Sequence, residues 1–217
     1  MKKLGLLLLP ILAITLMLGG NAFAQDKPIG VDSSVYFVTY YSNANTSGAP
    51  DATLRIVNDG DFRSEGGPLW AAIYVFDDSQ EMRSCCSCEI TPDGLLSESV
   101  NKELTANEFT GRGQIARGVI KVLSAVSGDP AYLDDVDAGL RGWMTHIQAT
   151  TTTFPAPGPG NGVNAVEKGP WLVTEDALAD SNLSGSEFSN LQTTCSYGLT
   201  IGSGYGLCPC TPEDYDF

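Results

Sequence analysis

Apolar residues along this chain recur mostly with the two-residue period of β-strands. Residues 35–41 (Val-Tyr-Phe-Val-Thr-Tyr-Tyr) are dense in β-branched and aromatic side chains, and 53–57 alternate; both read as strands. Residues 69–77 (Leu-Trp-Ala-Ala-Ile-Tyr-Val-Phe-Asp) are apolar on both faces, as a central strand between packed layers would be. Residues 95–100 suit a short edge strand, and 118–123 another strand. Residues 140–150 alternate, with Trp143, Thr145 and Ile147 on one face and Met144, His146 and Gln148 on the other. The pattern predicts that Trp70 and Trp143 belong to the core. Asn, Gly and Pro clusters separate these runs, among them Asn58-Asp59-Gly60-Asp61 and Thr91-Pro92-Asp93-Gly94. Residues 101–109 fit either a short helix or a loop.

A helical period appears once. Ser184-x-x-Glu187 is a capping-box pattern, and Phe188, Leu191 and Cys195 follow on one helix face, with Gly198 as a C-terminal stop. Residues 151–170, with four Pro and several Gly, read as a long loop without regular structure, and 211–217 as an acidic tail. Short strands separated by turns, then one late helix, predict a mainly β fold: an antiparallel β-sandwich or jelly-roll-like domain with one C-terminal helix, stapled by disulfides.

The first residues change the picture of the compartment. Lys2 and Lys3 precede an apolar run over 4–18, and Ala22-Phe23-Ala24 forms a small-x-small site. This is the pattern of a signal peptide over 1–24, leaving one domain over 25–217. The apolar run is shorter than the ~20 residues a membrane span needs, so no span is expected after cleavage. The expected location is outside the cytoplasm: extracellular, cell surface or periplasmic. Loss of Lys2 and Lys3 leaves ten cationic side chains against 26 acidic ones, a mature net charge of −16. Such a surface repels nucleic acid and anionic lipid.

Six cysteines fall in two groups: Cys85, Cys86 and Cys88, then Cys195, Cys208 and Cys210. An even count in an exported chain points to disulfides. Six thiols allow fifteen pairings, and the sequence does not choose among them. Three readings stand. Bridges could tie the first group to the second. The six cysteines could bind a soft metal such as Cu(I) or Zn²⁺ as thiolates. Some could join separate chains. A bond between the neighbours Cys85 and Cys86 would be strained.

Catalytic signatures are missing from the sequence: there is no Gly-x-Ser-x-Gly elbow, His-Glu-x-x-His pair or phosphate-cradling loop with Lys. The single histidine, His146, lacks a local partner and reads as structural or solvent-facing. Asp135 and Asp137 are weak calcium candidates, since they complete no twelve-residue calcium loop; Asx-type turns explain such acids as well. Trp171, after Pro170, is the tryptophan expected to be exposed and a weak candidate for ligand stacking. No cofactor is expected.

Certain motifs resemble an uncharacterised family of exported bacterial proteins. Tyr74-Val75-Phe76-Asp77 leads through Gln80-Glu81-Met82 to Cys85-Cys86-Ser87-Cys88 and Thr91-Pro92-Asp93-Gly94-Leu95. Later come Leu183-Ser184, Cys195, and Gly202-Ser-Gly-Tyr-Gly-Leu-Cys-Pro-Cys. The resemblance spans most of the mature region and implies one exported domain with no assigned activity or catalytic residues.

The expected function is therefore non-catalytic: a secreted or cell-surface structural protein, as a subunit of a fibre or matrix. Its partners would be further copies of itself or other surface proteins, with the strand at 35–41 able to complete a neighbour's sheet. A metal-binding protein, and a carbohydrate-binding domain or hydrolase, are the alternatives.

Overall fold

The computed structural model describes residues 35–60, 67–109, 115–154 and 165–210. The signal-peptide segment, the Pro/Gly run at 155–164 and the acidic tail lie outside the described residues.

Eleven strands and one α-helix make up the described chain. The strands are β1 (Tyr36–Ser42), β2 (Thr53–Asn58), β3 (Leu69–Asp77), β4 (Met82–Ile90), β5 (Leu95–Ser99), β6 (Arg117–Ala125), β7 (Leu140–Gln148), β8 (Thr151–Phe154), β9 (Ala165–Lys168), β10 (Leu172–Ala177) and β11 (Ala179–Asp180). The helix α1 spans Gly185–Ile201, and a single π-helical turn occupies Val100–Leu104. A five-stranded sheet runs β11-β1-β6-β3-β4 and a four-stranded sheet runs β10-β7-β2-β5. Every strand pairing is antiparallel.

The double-sided hydrophobicity of β3 explains the layering. Leu69, Ala71, Ile73 and Val75 meet Leu54, Ile56, Leu96, Leu140 and Met144 of the second sheet, forming the inter-sheet core. Ala72 and Tyr74 point the other way, against Leu123, Leu191 and Cys195 beneath α1. A strand buried on both faces has no use for polar alternation. The fold is thus a β-sandwich with the helix packed on the outside of its five-stranded sheet.

Ser184 caps α1: its hydroxyl accepts from the Glu187 backbone N–H at 3.1 Å. The Glu187 carboxylate turns to the sheet instead, where its Oε1 accepts from Tyr36 Oη at 3.0 Å and Lys121 Nζ at 2.5 Å. The helix passes through Gly198 and ends at Gly202. Gly198 is therefore not the stop its position suggested: it is buried in the helix, and a Cβ there would lie 2.5 Å from Phe109 Cζ.

Two further expectations are corrected. Residues 151–170 are not free of regular structure, because β8 and β9 pair over four positions, Thr151↔Lys168 to Phe154↔Ala165. They continue the β7–β10 pair outward. Pro155, Pro157 and Pro159 come only after β8, so the threonine run keeps its strand preference. Trp143 is not core. It is 39% exposed, while Met144 beside it is fully buried. Burial does not follow the alternation along the whole of β7: Ile147, on the same face as Trp143, is buried in the inter-sheet core together with Met144 of the other face.

One segment changes sheets. β10 pairs with β7, Leu178 N–H donates to Gly142 O at 2.8 Å, and β11 then pairs with β1 at Phe37 and Val38. This closes one side of the sandwich. β1 itself lies between β6 and β11 and buries Tyr36, Phe37 and Tyr41. Among the described residues, no helix is long and apolar enough to cross a membrane.

Candidate functional site

The cysteines are arranged by the pleat of β4, an edge strand. Cys85 faces α1 and bonds Cys195, Cα to Cα 6.0 Å. Cys86 and Cys88 lie on the inter-sheet side and bond Cys208 and Cys210, each with Cα atoms 5.3 Å apart. Both of these bridges span 122 residues. The same offset relates Cys85 to Leu207, which form a parallel bridge, and Cys85 N–H donates to Gly206 O at 2.8 Å. Residues 206–210 therefore run parallel to β4 in fixed register and cover part of an otherwise open sheet edge. All six cysteines are bonded and none is free. That redox state belongs to an oxidising, non-cytoplasmic compartment.

Sulphur atoms of Cys86, Cys88 and Cys210 lie within 4.8 Å of one another. Buried Glu98 places Oε1 4.0 Å from Cys88 Sγ. A soft metal binds thiolate, and a disulfide sulphur carries no such charge. The cluster is therefore a pair of adjacent staples in this oxidation state.

His146 is buried and stacks on Tyr40, ring centroids 4.0 Å apart, with Nε2 3.7 Å from Asp176 Oδ2. Burial pushes its pKa below the ordinary imidazole range, against the opposing pull of Asp176 and the Tyr40 backbone. Asp135 Oδ1 and Asp137 Oδ1 each accept from the next backbone N–H, of Val136 and Ala138, at 3.0 and 2.9 Å. Among the described residues, they join no third group placed to share a cation. Asn58 forms the Asx-type turn: its Oδ1 accepts from Gly60 N–H at 3.1 Å, and its Nδ2 donates to Ile90 O at 3.0 Å.

Trp171 is half-buried against the inter-sheet core rather than exposed. It borders a cavity of about 110 Å³ with Thr150 and Gly169, too small for a sugar ring to stack.

Two larger depressions were not foreseen from the sequence. A cleft of about 660 Å³ lies at one end of the sandwich, beside Asp77, Asp78, Glu81, Arg83 and Arg117. A bulge sets Arg83 there: Val75 pairs with Ser84 and Phe76 with Met82, so Arg83 is the extra residue of β4. Its guanidinium pairs with Asp77 at 3.4 Å and with Glu108, all three side chains being buried. Arg117 pairs with Asp78 at 2.7 Å. Charges lining this cleft thus engage one another. A second groove of about 520 Å³ lies between the outer face of α1 and Ala131-Tyr132. Tyr132 and Tyr197 stand in it, 67% and 66% exposed. The signal for Tyr197 was available: Leu191, Cys195 and Gly198 define the buried helix face, and 197 falls off it.

Comparison of the chain with protein-family models, curated proteins and solved structures found no match in any of the three.

Proposed function

We propose that this chain is a secreted or cell-surface structural protein, a non-catalytic subunit of an extracellular fibre or matrix. One observation carries the reading. Among the described residues, β10 ends the four-stranded sheet, pairs only with β7, and has all six residues exposed. A strand so placed offers its free edge to another strand. Release of β1 would open both hydrophobic clusters, so assembly through β10 is the cheaper route.

A second copy fits this edge. Two β10 strands paired antiparallel about Thr174 and Glu175 set Glu175 against Thr174 and Asp176 against Val173. No two carboxylates face each other directly, and Arg55 already neutralises Glu175. Disulfide closure and the signal-like leader support export of the building block.

Native mass measurement over a concentration series tests the reading, alongside detection of the protein in culture medium, envelope and cytoplasm. Oligomers should form, and either Val173→Pro or Thr174→Pro should abolish them, since alternate residues point their N–H groups outward. A strictly monomeric or cytoplasmic protein would overturn it. The close sulphurs of Cys86, Cys88 and Cys210 favour a second reading, metal capture by the reduced protein. Mass analysis without reductant separates the two, since three bridges remove six hydrogens.

A further inference from the structure

We propose that the groove between α1 and residues 131–133 is a binding site for a neutral glycan. This goes beyond the structural role above and does not depend on it. Tyr132 and Tyr197 present two large rings to solvent in one groove of about 520 Å³, a volume ordinary for small-ligand sites. Between and beside the rings stand Gln192, Thr193, Ser196 and Thr200. Not one lining residue is charged, although the chain carries 26 acidic side chains. Rings flanked by hydroxyl and amide groups match a sugar, whose apolar C–H face stacks on an aromatic while its rim hydroxyls need hydrogen bonds. Acidic polysaccharides are disfavoured by the strongly negative protein.

The groove is also held in shape. Tyr132 Oη and Ser196 Oγ hydrogen-bond at 2.9 Å, which fixes one ring against the helix. Gln192 Nε2 donates to Leu133 O at 2.8 Å and ties the opposite wall. Asp129 Oδ1 accepts from Ala131 N–H at 2.9 Å and sets the turn that presents Tyr132. The far face of the helix is fastened through Cys195 to β4. A wall fixed before binding loses little freedom on binding.

Affinity electrophoresis of the mature, disulfide-intact chain tests this. The gels would contain a β-glucan, an α-glucan, a xylan or a galactomannan, with polygalacturonate as the acidic control. At least one neutral polymer should retard the protein, and polygalacturonate should not. Tyr197→Ala should weaken the retardation about tenfold or more through loss of a stacking ring. Tyr132→Phe, which keeps the ring but frees it from Ser196, should weaken it less than Tyr197→Ala does, and Tyr205→Ala, exposed but outside the groove, should leave it unchanged. Melting temperatures should be unaltered in Tyr197→Ala and Tyr205→Ala. If no neutral polymer retards the chain, or if retardation survives Tyr197→Ala, the proposal falls. Retardation by polygalacturonate alone, or capture of a protein instead of a glycan, also overturns it.

Discussion

Cys85 and Cys86 are neighbours in sequence, yet they are bonded on opposite faces of β4, one to the helix and one to the chain end. The three bridges are therefore interlinked and unequal. With Cys86–Cys208 intact, Cys85–Cys195 closes a ring of only about 15 residues, and Cys88–Cys210 one of about six. In the chain-entropy view these contribute about 3 and about 2 kcal/mol. Paired Cys→Ser replacement should lower the melting temperature in that order, by about 6–12 °C for Cys85/Cys195 and less for Cys88/Cys210. Scanning calorimetry at one heating rate would show it. Equal losses would mean that the bridges act through native-state packing rather than chain closure.

How much of this was legible follows from what each residue's neighbours are. The bounds of β3 could be read directly, since a strand buried on both sides is written as an unbroken apolar run. The Ser184 cap was equally plain, because that interaction is local. β4 was not recognised as a strand: Arg-Ser-Cys-Cys-Ser-Cys shows no alternation, and the bulge at Arg83 shifts the phase part-way along. β10 escaped because neither of its faces is buried, which leaves no period to detect. Participation of the cysteines in bonding could be foreseen. Their pairing could not, because it depends on the register between β4 and a chain end more than a hundred residues away. Tyr132 enters its groove by the same kind of distant contact, a bond to Ser196.

Phe109 and the glycines around it give a case where two effects oppose. Helix propensity says Gly198→Ala should stabilise by about 1 kcal/mol. The new Cβ would sit 2.5 Å from Phe109 Cζ, and overpacking costs about 1–3 kcal/mol. The ring has little room to swing, because Gly206, at φ +84°, closes on it from the chain end. Net destabilisation is expected in the natural background. With Phe109→Ala already present, Gly198→Ala should become stabilising. Urea titration of the four proteins of this cycle measures the change of sign.

Arg83 is the buried cation at the end of the sandwich, and Asp77 and Glu108 depend on it. Asp77 also accepts from the Ser79 and Glu81 backbone N–H groups at 2.9 Å, shaping the β3–β4 turn. Arg83→Met leaves two buried carboxylates without their cation and should cost about 3–5 kcal/mol. Arg83→Met combined with Asp77→Asn and Glu108→Gln should recover much of that loss, because uncompensated charge rather than lost packing is the main cost. Denaturant midpoints would decide. A triple variant no more stable than the single one would point to packing.

His146 sets a pH dependence whose sign can be worked out. Its folded pKa is depressed, chiefly by burial, from an unfolded value of about 6.5. Asp176 opposes this but is largely exposed, so solvent weakens its pull. Below about pH 6.5 the unfolded chain takes up a proton that the folded chain resists. The contribution is thus intact above that pH and is lost as pH falls towards the depressed folded value. His146→Phe keeps a ring against Tyr40 but cannot titrate. Melting curves between pH 5 and 7.5 should therefore fall less steeply with acid in the variant than in the natural protein. Carboxylates titrate in both proteins, so the difference between the two curves isolates the imidazole. Parallel curves would mean that the folded protein admits the proton at His146 as readily as the unfolded chain does.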